Sequence, residues 1–479
     1  MLFNSPEFVL AFLPAALLLC FLAGRVGGPR WMLRVIVAAS LFFYGWWSPK
    51  FVLLLGGSIV ANYTLGRLTL RAQGRYWLVT GIAANLALLG WFKYANFMIH
   101  DVLRLHAPEF DIFLPLAISF FTFQQIMYLV ECHRRECVDA GLLTYAAFIA
   151  FFPHLIAGPI VRPREIMPQL LARDLAVPRA DHIAEGLTIF LLGLAKKLVL
   201  ADTFARFSDV GFAAAAQGAP LSFVEAWYAA ASYALQIYFD FSGYSDMAIG
   251  LARMLNVRFP LNFASPYQAA NIADFWRRWH ITLSRFLRDY VYIPLGGNRR
   301  GELRRNVNLM ATMLLGGLWH GAAWNFVLWG GLHGAALVVQ HRFRWKLSAA
   351  IGRTLTLLFV VIAWVPFRAS GMPATIAMLR GMAGCNGFAL PQMIVHAFPP
   401  LAAIATPVPL LPYLGDARTL SFPEVTACLL LGWTIVLALP SVQELSQRAR
   451  DWALVGGFAF TVQALFFAPH ITPFLYFRF

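Results

Sequence analysis

Charge is scarce in this sequence. Only 13% of its 479 residues are Asp, Glu, Lys or Arg, against 59% apolar, and the mean hydropathy is +0.64. A soluble fold of this length would still need a polar exterior, and there is too little polar material here to build one. Lipid must cover much of the surface. Acidic residues are the scarcer sign, 23 against 38 Lys and Arg, leaving a net charge of +15. No basic soluble module is present to bind nucleic acid, so that partner is excluded. The excess fits Arg-rich cytoplasmic loops of a membrane protein. Five cysteines (Cys20, Cys132, Cys137, Cys385 and Cys428) make no even disulfide framework. Cys132 and Cys137 lack the second ligand pair that a zinc site would need, so no metal is expected. Gly-x-Ser-x-Gly, the Walker A loop, the dinucleotide fingerprint and His-Glu-x-x-His are all missing. ATP hydrolysis, hydride transfer and zinc proteolysis lose their usual supports.

What the sequence has in abundance is apolar segments. They recur near 6–24, 32–46, 51–66, 76–92, 111–131, 142–157, 183–203, 222–255, 306–340, 350–367, 395–413, 424–440 and 452–470. A span needs about 20 apolar residues and can manage with about 17. The expected fold is therefore an all-α integral membrane bundle of about 11 transmembrane helices, with re-entrant and interfacial pieces. No long polar linker interrupts it, so residues 1–479 read as one membrane domain. The first apolar run has no Lys or Arg before it, while Arg25, Arg30 and Arg34 follow. A cleaved signal shows the reverse order, so this reads as a retained span with its N-terminus outside the cytoplasm.

Three regions break the pattern. Pro153, Pro159 and Pro163 end a helix and turn the chain at a membrane surface. The stretch 274–305 is basic. The run from Pro391 to Pro412 is apolar but rich in proline, and predicts irregular backbone.

In the basic stretch, Phe275 to Tyr290 reads as a single two-faced helix. Phe275, Trp276, Trp279, Leu283, Phe286, Leu287 and Tyr290 share one arc, and Arg277, Arg278, Arg285 and Arg288 the opposite one. That is the pattern of a helix lying at the membrane interface. His280 and Ser284 sit one turn apart at the edge of the apolar arc; a solvated interfacial histidine is the plain alternative to a functional one. The arginines are explained either by topology and anionic lipid or by docking the phosphates of an acyl carrier.

His320 is the more unusual residue. It stands in Gly316-Gly317-Leu318-Trp319-His320-Gly321-Ala322, inside a segment read as one apolar helix. On such a helix it would share a face with Gly316, Gly317, Trp324, Val327 and Gly331. An imidazole there needs a polar partner or a cavity. Burial favours its neutral form, which suits a general base. A packing histidine held by one hydrogen bond remains the alternative, and His333, on a different face, reads as structural.

Longer stretches resemble a known family. Phe275-Trp276-Arg277-Arg278-Trp279-His280-Ile281-Thr282-Leu283-Ser284, Tyr292-Ile293-Pro294-Leu295-Gly296-Gly297-Asn298 and Leu318-Trp319-His320-Gly321 are similar to words of the membrane-bound O-acyltransferase family, in its bacterial alginate-acetylating branch. So are Ala157-Gly158-Pro159-Ile160-Val161-Arg162 and Asp240-Phe241-Ser242-Gly243-Tyr244-Ser245-Asp246. The resemblance implies a helical fold around a central tunnel. It carries the family's central catalytic histidine onto His320 and its second motif histidine onto His280. Trp279, Arg278, Ser284, Arg285, Trp319, Trp324 and Asn325 are then expected to contact donor or acceptor. The implied reaction moves an acetyl group from acetyl-CoA, a substrate rather than a bound cofactor, across the bacterial inner membrane. The receiver is a periplasmic partner protein or a glycan hydroxyl: alginate, another exopolysaccharide, cellulose or peptidoglycan. A carrier of a small acyl compound, using Asp240 and Asp246, and a non-catalytic scaffold are the competing readings.

Overall fold

The computed structural model describes residues 1–71, 73–138, 140–343, 347–414, 421–467 and 472–475. Its described residues are overwhelmingly helical. In chain order the helices are α1 Leu13–Gly45, α2 Lys50–Thr69, α3 Gly74–Leu89, α4 Ile118–His133, α5 Leu142–Ala150, α6 Phe152–Leu155, α7 Pro163–Leu170, α8 Ala180–Ala195 and α9 Asp202–Ala216. They continue with α10 Phe223–Met254, α11 Ile272–Arg278, α12 Ile281–Leu287, α13 Gly301–His320, α14 Trp324–Phe343, α15 Ala349–Arg368, α16 Met372–Met382, α17 Gln392–Ala397, α18 Phe422–Ala438 and α19 Gln447–Phe467. The proline-rich run expected to be irregular, Pro391 to Pro412, holds the short helix α17 and a three-residue strand, β2 Thr406–Val408, which pairs in parallel with β1 Ala389–Pro391 at the start of the run.

Three stretches among the described residues, Glu7–Gly45, Lys50–Thr69 and Ala349–Arg368, are long and apolar enough to cross a membrane by themselves. That is fewer than the apolar segments suggested. Several segments form helices that open on charge, as α13 does with Glu302, Arg304 and Arg305. The segment near 111–131 turns helical only at Ile118, after Ala117 in the left-handed region at φ 63°. In α1 the chain bends at Gly28, φ 72°, a conformation only glycine adopts cheaply, just before Pro29.

The residues fall into two compact units. Among the described residues, one comprises 1–195, 242–262 and those from 445 onward, and the other 196–241 and 263–444. Within the first, a largely buried polar network ties α2, α3 and α4 together. Ser58 Oγ donates to Gln125 Oε1 at 2.8 Å, Asn62 Nδ2 to the same oxygen at 3.1 Å, and Asn85 Nδ2 to Asn62 Oδ1 at 2.6 Å. The proline-marked turn is clamped by His154, whose ring nitrogens lie 3.0 Å from Gln124 Nε2 and from the Phe148 carbonyl. Such buried polar groups hold position because leaving them unpaired is costly.

In the second unit the dominant pairing is the α13–α14 hairpin. A Cβ on Gly317 would collide with the Phe326 carbonyl, and one on Gly330 with the Met313 carbonyl. The paired glycines therefore let the two antiparallel helices touch backbone to backbone. This corrects the reading of 306–340 as one helix. α13 ends at His320, and Gly321 is extended at φ −163°, ψ 148°.

Candidate active site

The stretch expected to be one interfacial helix is also broken. Asn271 caps α11 by accepting the Asp274 N–H at 2.9 Å. The helix stops at Arg278, Trp279 is extended, and His280 sits at φ 41°, ψ 55° before α12 starts. A left-handed histidine is unusual and costs backbone energy, so surrounding structure must impose it. Ser284 does part of this. Its N–H bonds the His280 carbonyl at 3.0 Å, and its Oγ donates to the Trp279 carbonyl at 3.4 Å. The break turns His280 inward, 0% exposed, rather than leaving it at the edge of an interfacial face.

Around it lies an aromatic sleeve. The Phe241 ring meets His280 nearly perpendicular at 4.7 Å, and Trp319 lies 6.3 Å away. Trp319 in turn is 4.9 Å from His320. Both histidines therefore border one indole, although 40 positions separate them in sequence. His320, 4% exposed, is walled by Trp329 at 5.2 Å and Phe367 at 5.0 Å. Trp329 also packs on His333 at 4.8 Å and on Trp364 at 5.8 Å. All of these residues belong to the second unit.

The expected contact residues divide. Trp319 and Trp279 are buried, the latter among Phe263, Tyr267, Phe275 and Trp364. Arg278 is held by Asp274 at 3.1 Å and reaches the Ala264 carbonyl at 3.4 Å. Nearby, Glu444 accepts from Ser265 and Ser441, each at 2.7 Å. Burial alone would raise its pKa, but those hydrogen bonds, with Arg278 close by, hold the carboxyl below the ordinary glutamate range. Arg278 thus braces the approach to the histidine break. Arg285 is half-buried, and Arg277 is exposed. Trp324 is 48% exposed and takes no place in the sleeve's ring contacts described above. Asp240, the acid of the carrier reading, pairs with Lys197 at 2.9 Å, and Lys197 also bonds Asp202 at 2.7 Å.

Asn325 has a backbone task. Its Nδ2 donates to the Pro366 and Ala369 carbonyls, both at 3.0 Å, at the end of α15 where carbonyls lack helical partners. We expect Asn325→Ala to destabilise the protein by about 1–3 kcal/mol, because buried acceptors are left unpaired. The melting temperature should fall while the donor KM stays unchanged. A raised KM at constant melting temperature would instead place Asn325 on the donor.

Trp329, Phe367 and Phe241 were not legible as site residues. The sequence does repeat Gly316-Gly317 as Gly330-Gly331, but paired glycines mark close helix approach without saying which side chains meet.

Comparison with known proteins agrees with the words in the sequence. The profile of the membrane-bound O-acyltransferase family matches residues 41–345. The chain is 44% identical to the peptidoglycan O-acetyltransferase of Helicobacter pylori over 430 residues, covering 81% of each chain. It is 42% identical to the probable alginate O-acetylase AlgI of Pseudomonas aeruginosa, over 80% of this chain and 75% of that one. Identity to the teichoic acid D-alanyltransferase of Bacillus subtilis is 26%, over 61% of this chain and 76% of that one. With its helical architecture, its buried histidines and these similarities, the chain belongs to the membrane-bound O-acyltransferase family and is an integral membrane O-acyltransferase.

Proposed function

We propose that this enzyme resides in the bacterial inner membrane and moves acetyl groups from cytoplasmic acetyl-CoA, through a tunnel between about eleven spanning helices, to the periplasmic side. There they esterify hydroxyls of an exported polysaccharide such as alginate, directly or through a periplasmic partner protein. The observation that carries the reading is His320, buried at the last position of α13 and sharing Trp319 with His280.

In this reading His320 takes the proton of the accepting hydroxyl as its oxygen bonds to the acetyl carbonyl carbon. The C–S bond then breaks, and the departing thiolate receives the proton back from the imidazolium. The transient positive charge forms at a helix C-terminus, where backbone carbonyls stabilise a cation. The aromatic walls exclude water that would otherwise hydrolyse the thioester. His280 orients or polarises a reactant. Exposed Arg277 and half-buried Arg285 supply charge for the phosphates of the carrier.

The test is transfer by purified protein from acetyl-CoA labelled in its acetyl group, with mannuronate oligomers or peptidoglycan fragments as acceptors. Label should move into an alkali-labile ester as free CoA appears in equal amount. Absence of CoA release with every acceptor, with or without periplasmic extract, would count against the acetyl-CoA reading. Peptidoglycan is the second candidate acceptor, favoured by the 44% identity to the Helicobacter pylori enzyme. The acceptor that is labelled decides between them.

A further inference from the structure

His333 is more than packing. Its Nδ1 accepts the Trp276 indole N–H at 3.3 Å. A neutral imidazole accepting at Nδ1 carries its proton on Nε2, so contact with α11 fixes the tautomer. The residue is 0% exposed, and its Nε2 has no hydrogen-bond partner among the described residues. The same holds for Nε1–H of Trp329, which is 1% exposed. Buried donors are normally paired. Here two sit on neighbouring rings, centroids 4.8 Å apart, and Trp329 is at the same time 5.2 Å from His320.

The Trp276 hydrogen bond accounts for Nδ1 alone. The rings around His333, Phe275, Trp276, Trp329 and Phe359, give Nε2 no partner. Transfer chemistry calls for such donors. When an oxygen nucleophile adds to an acyl carbonyl, negative charge gathers on the carbonyl oxygen, and fixed N–H donors stabilise that charge without reorganising.

We propose that His333 Nε2–H and Trp329 Nε1–H form an oxyanion-binding pair that holds the donor's carbonyl oxygen beside His320. The inference rests on the acyl-transfer reading above. The acceptor oxygen bonds to the carbonyl carbon and its proton passes to His320. The C=O electron pair moves onto the carbonyl oxygen, held by the two N–H groups. That pair then restores C=O, the C–S bond breaks, and the thiolate takes the proton from His320. His333 remains neutral throughout and donates without transferring its proton.

The experiment uses full-length protein and acetyl-CoA. Trp329→Phe keeps a ring and deletes only the indole N–H and the second ring. It should lower kcat by about a hundredfold, in the range seen when one oxyanion donor is removed. The acetyl-CoA KM should stay within about twofold, because the interaction is made in the transition state. His333→Gln retains an N–H near the position of Nε2, and should keep at least about tenfold more kcat than His333→Phe. Wild-type kcat in Trp329→Phe and His333→Phe, while His320→Ala is inactive, would overturn the pair and leave the acyl-transfer reading standing. Losses that follow melting temperature, with Gln no better than Phe, would also overturn it. Activity in His320→Ala would remove the acyl-transfer reading itself.

Discussion

Replacing His320 with alanine is expected to leave a membrane-inserted protein that transfers no measurable acetyl. A positioned base contributes about 10²–10⁴-fold to proton transfer. The rings directly against it, Trp319, Trp329 and Phe367, carry no base, and His280 and His333 lie beyond them, as further partners of Trp319 and Trp329. Water admitted into the vacated space would be a weaker base and would compete as an acceptor. The substitution also leaves a cavity, and truncating a buried ring costs a few kcal/mol, about 3–5 for Phe or Trp. His320→Gln, which fills more of the space, is therefore the companion variant. Both should elute from size exclusion as the wild type does, and neither should release CoA in the labelled assay. The decisive measurement in cells is glycan acetyl content in a strain whose only copy is His320→Ala. Normal acetylation there would end the catalytic assignment.

For His280 the expected loss is large but incomplete, about 10²-fold in kcat, the lower end for one acid–base or polarising group. The difficulty is to separate ring from backbone. A non-glycine residue in the left-handed region costs about 1–2 kcal/mol, and at φ 41° His280 bears that strain. Alanine keeps the strain and loses the ring, whereas glycine loses the ring and relieves the strain. If the imidazole matters, His280→Gly and His280→Ala fall together in kcat, while glycine melts at the higher temperature. Should His280→Gly transfer acetyl at the wild-type rate, the residue would serve only to bend the chain between α11 and α12.

Much of this protein is readable from the sequence alone, and the reasons are local. Low charge with repeated apolar segments requires a lipid-covered helical protein, because a chain without enough polar surface has no soluble alternative. The words around His280 and His320 carry the family, and residue type already narrows the chemistry to histidine. Prolines 153, 159 and 163 announce their turn, since proline lacks an N–H and fits best at a helix start, as Pro163 does in opening α7.

What only the tertiary structure decided concerns breaks and meetings. Periodicity ran Phe275–Tyr290 through as one helix, because every residue there tolerates a helix and nothing local forbids it. The left-handed bend at His280 is held locally by Ser284 and from outside the stretch by Phe241 and Trp319, which pack on the ring. The 306–340 segment likewise reads as continuous, and the turn after His320 follows from backbone contact between Gly317 and Gly330. That fold-back puts Trp329 against His320 and His333, and the His280 bend puts His280 against Trp319. Sequence patterns report the neighbours a residue has along its own helix. Which rings close around a buried histidine depends on where two helices cross, and that is fixed by long-range packing.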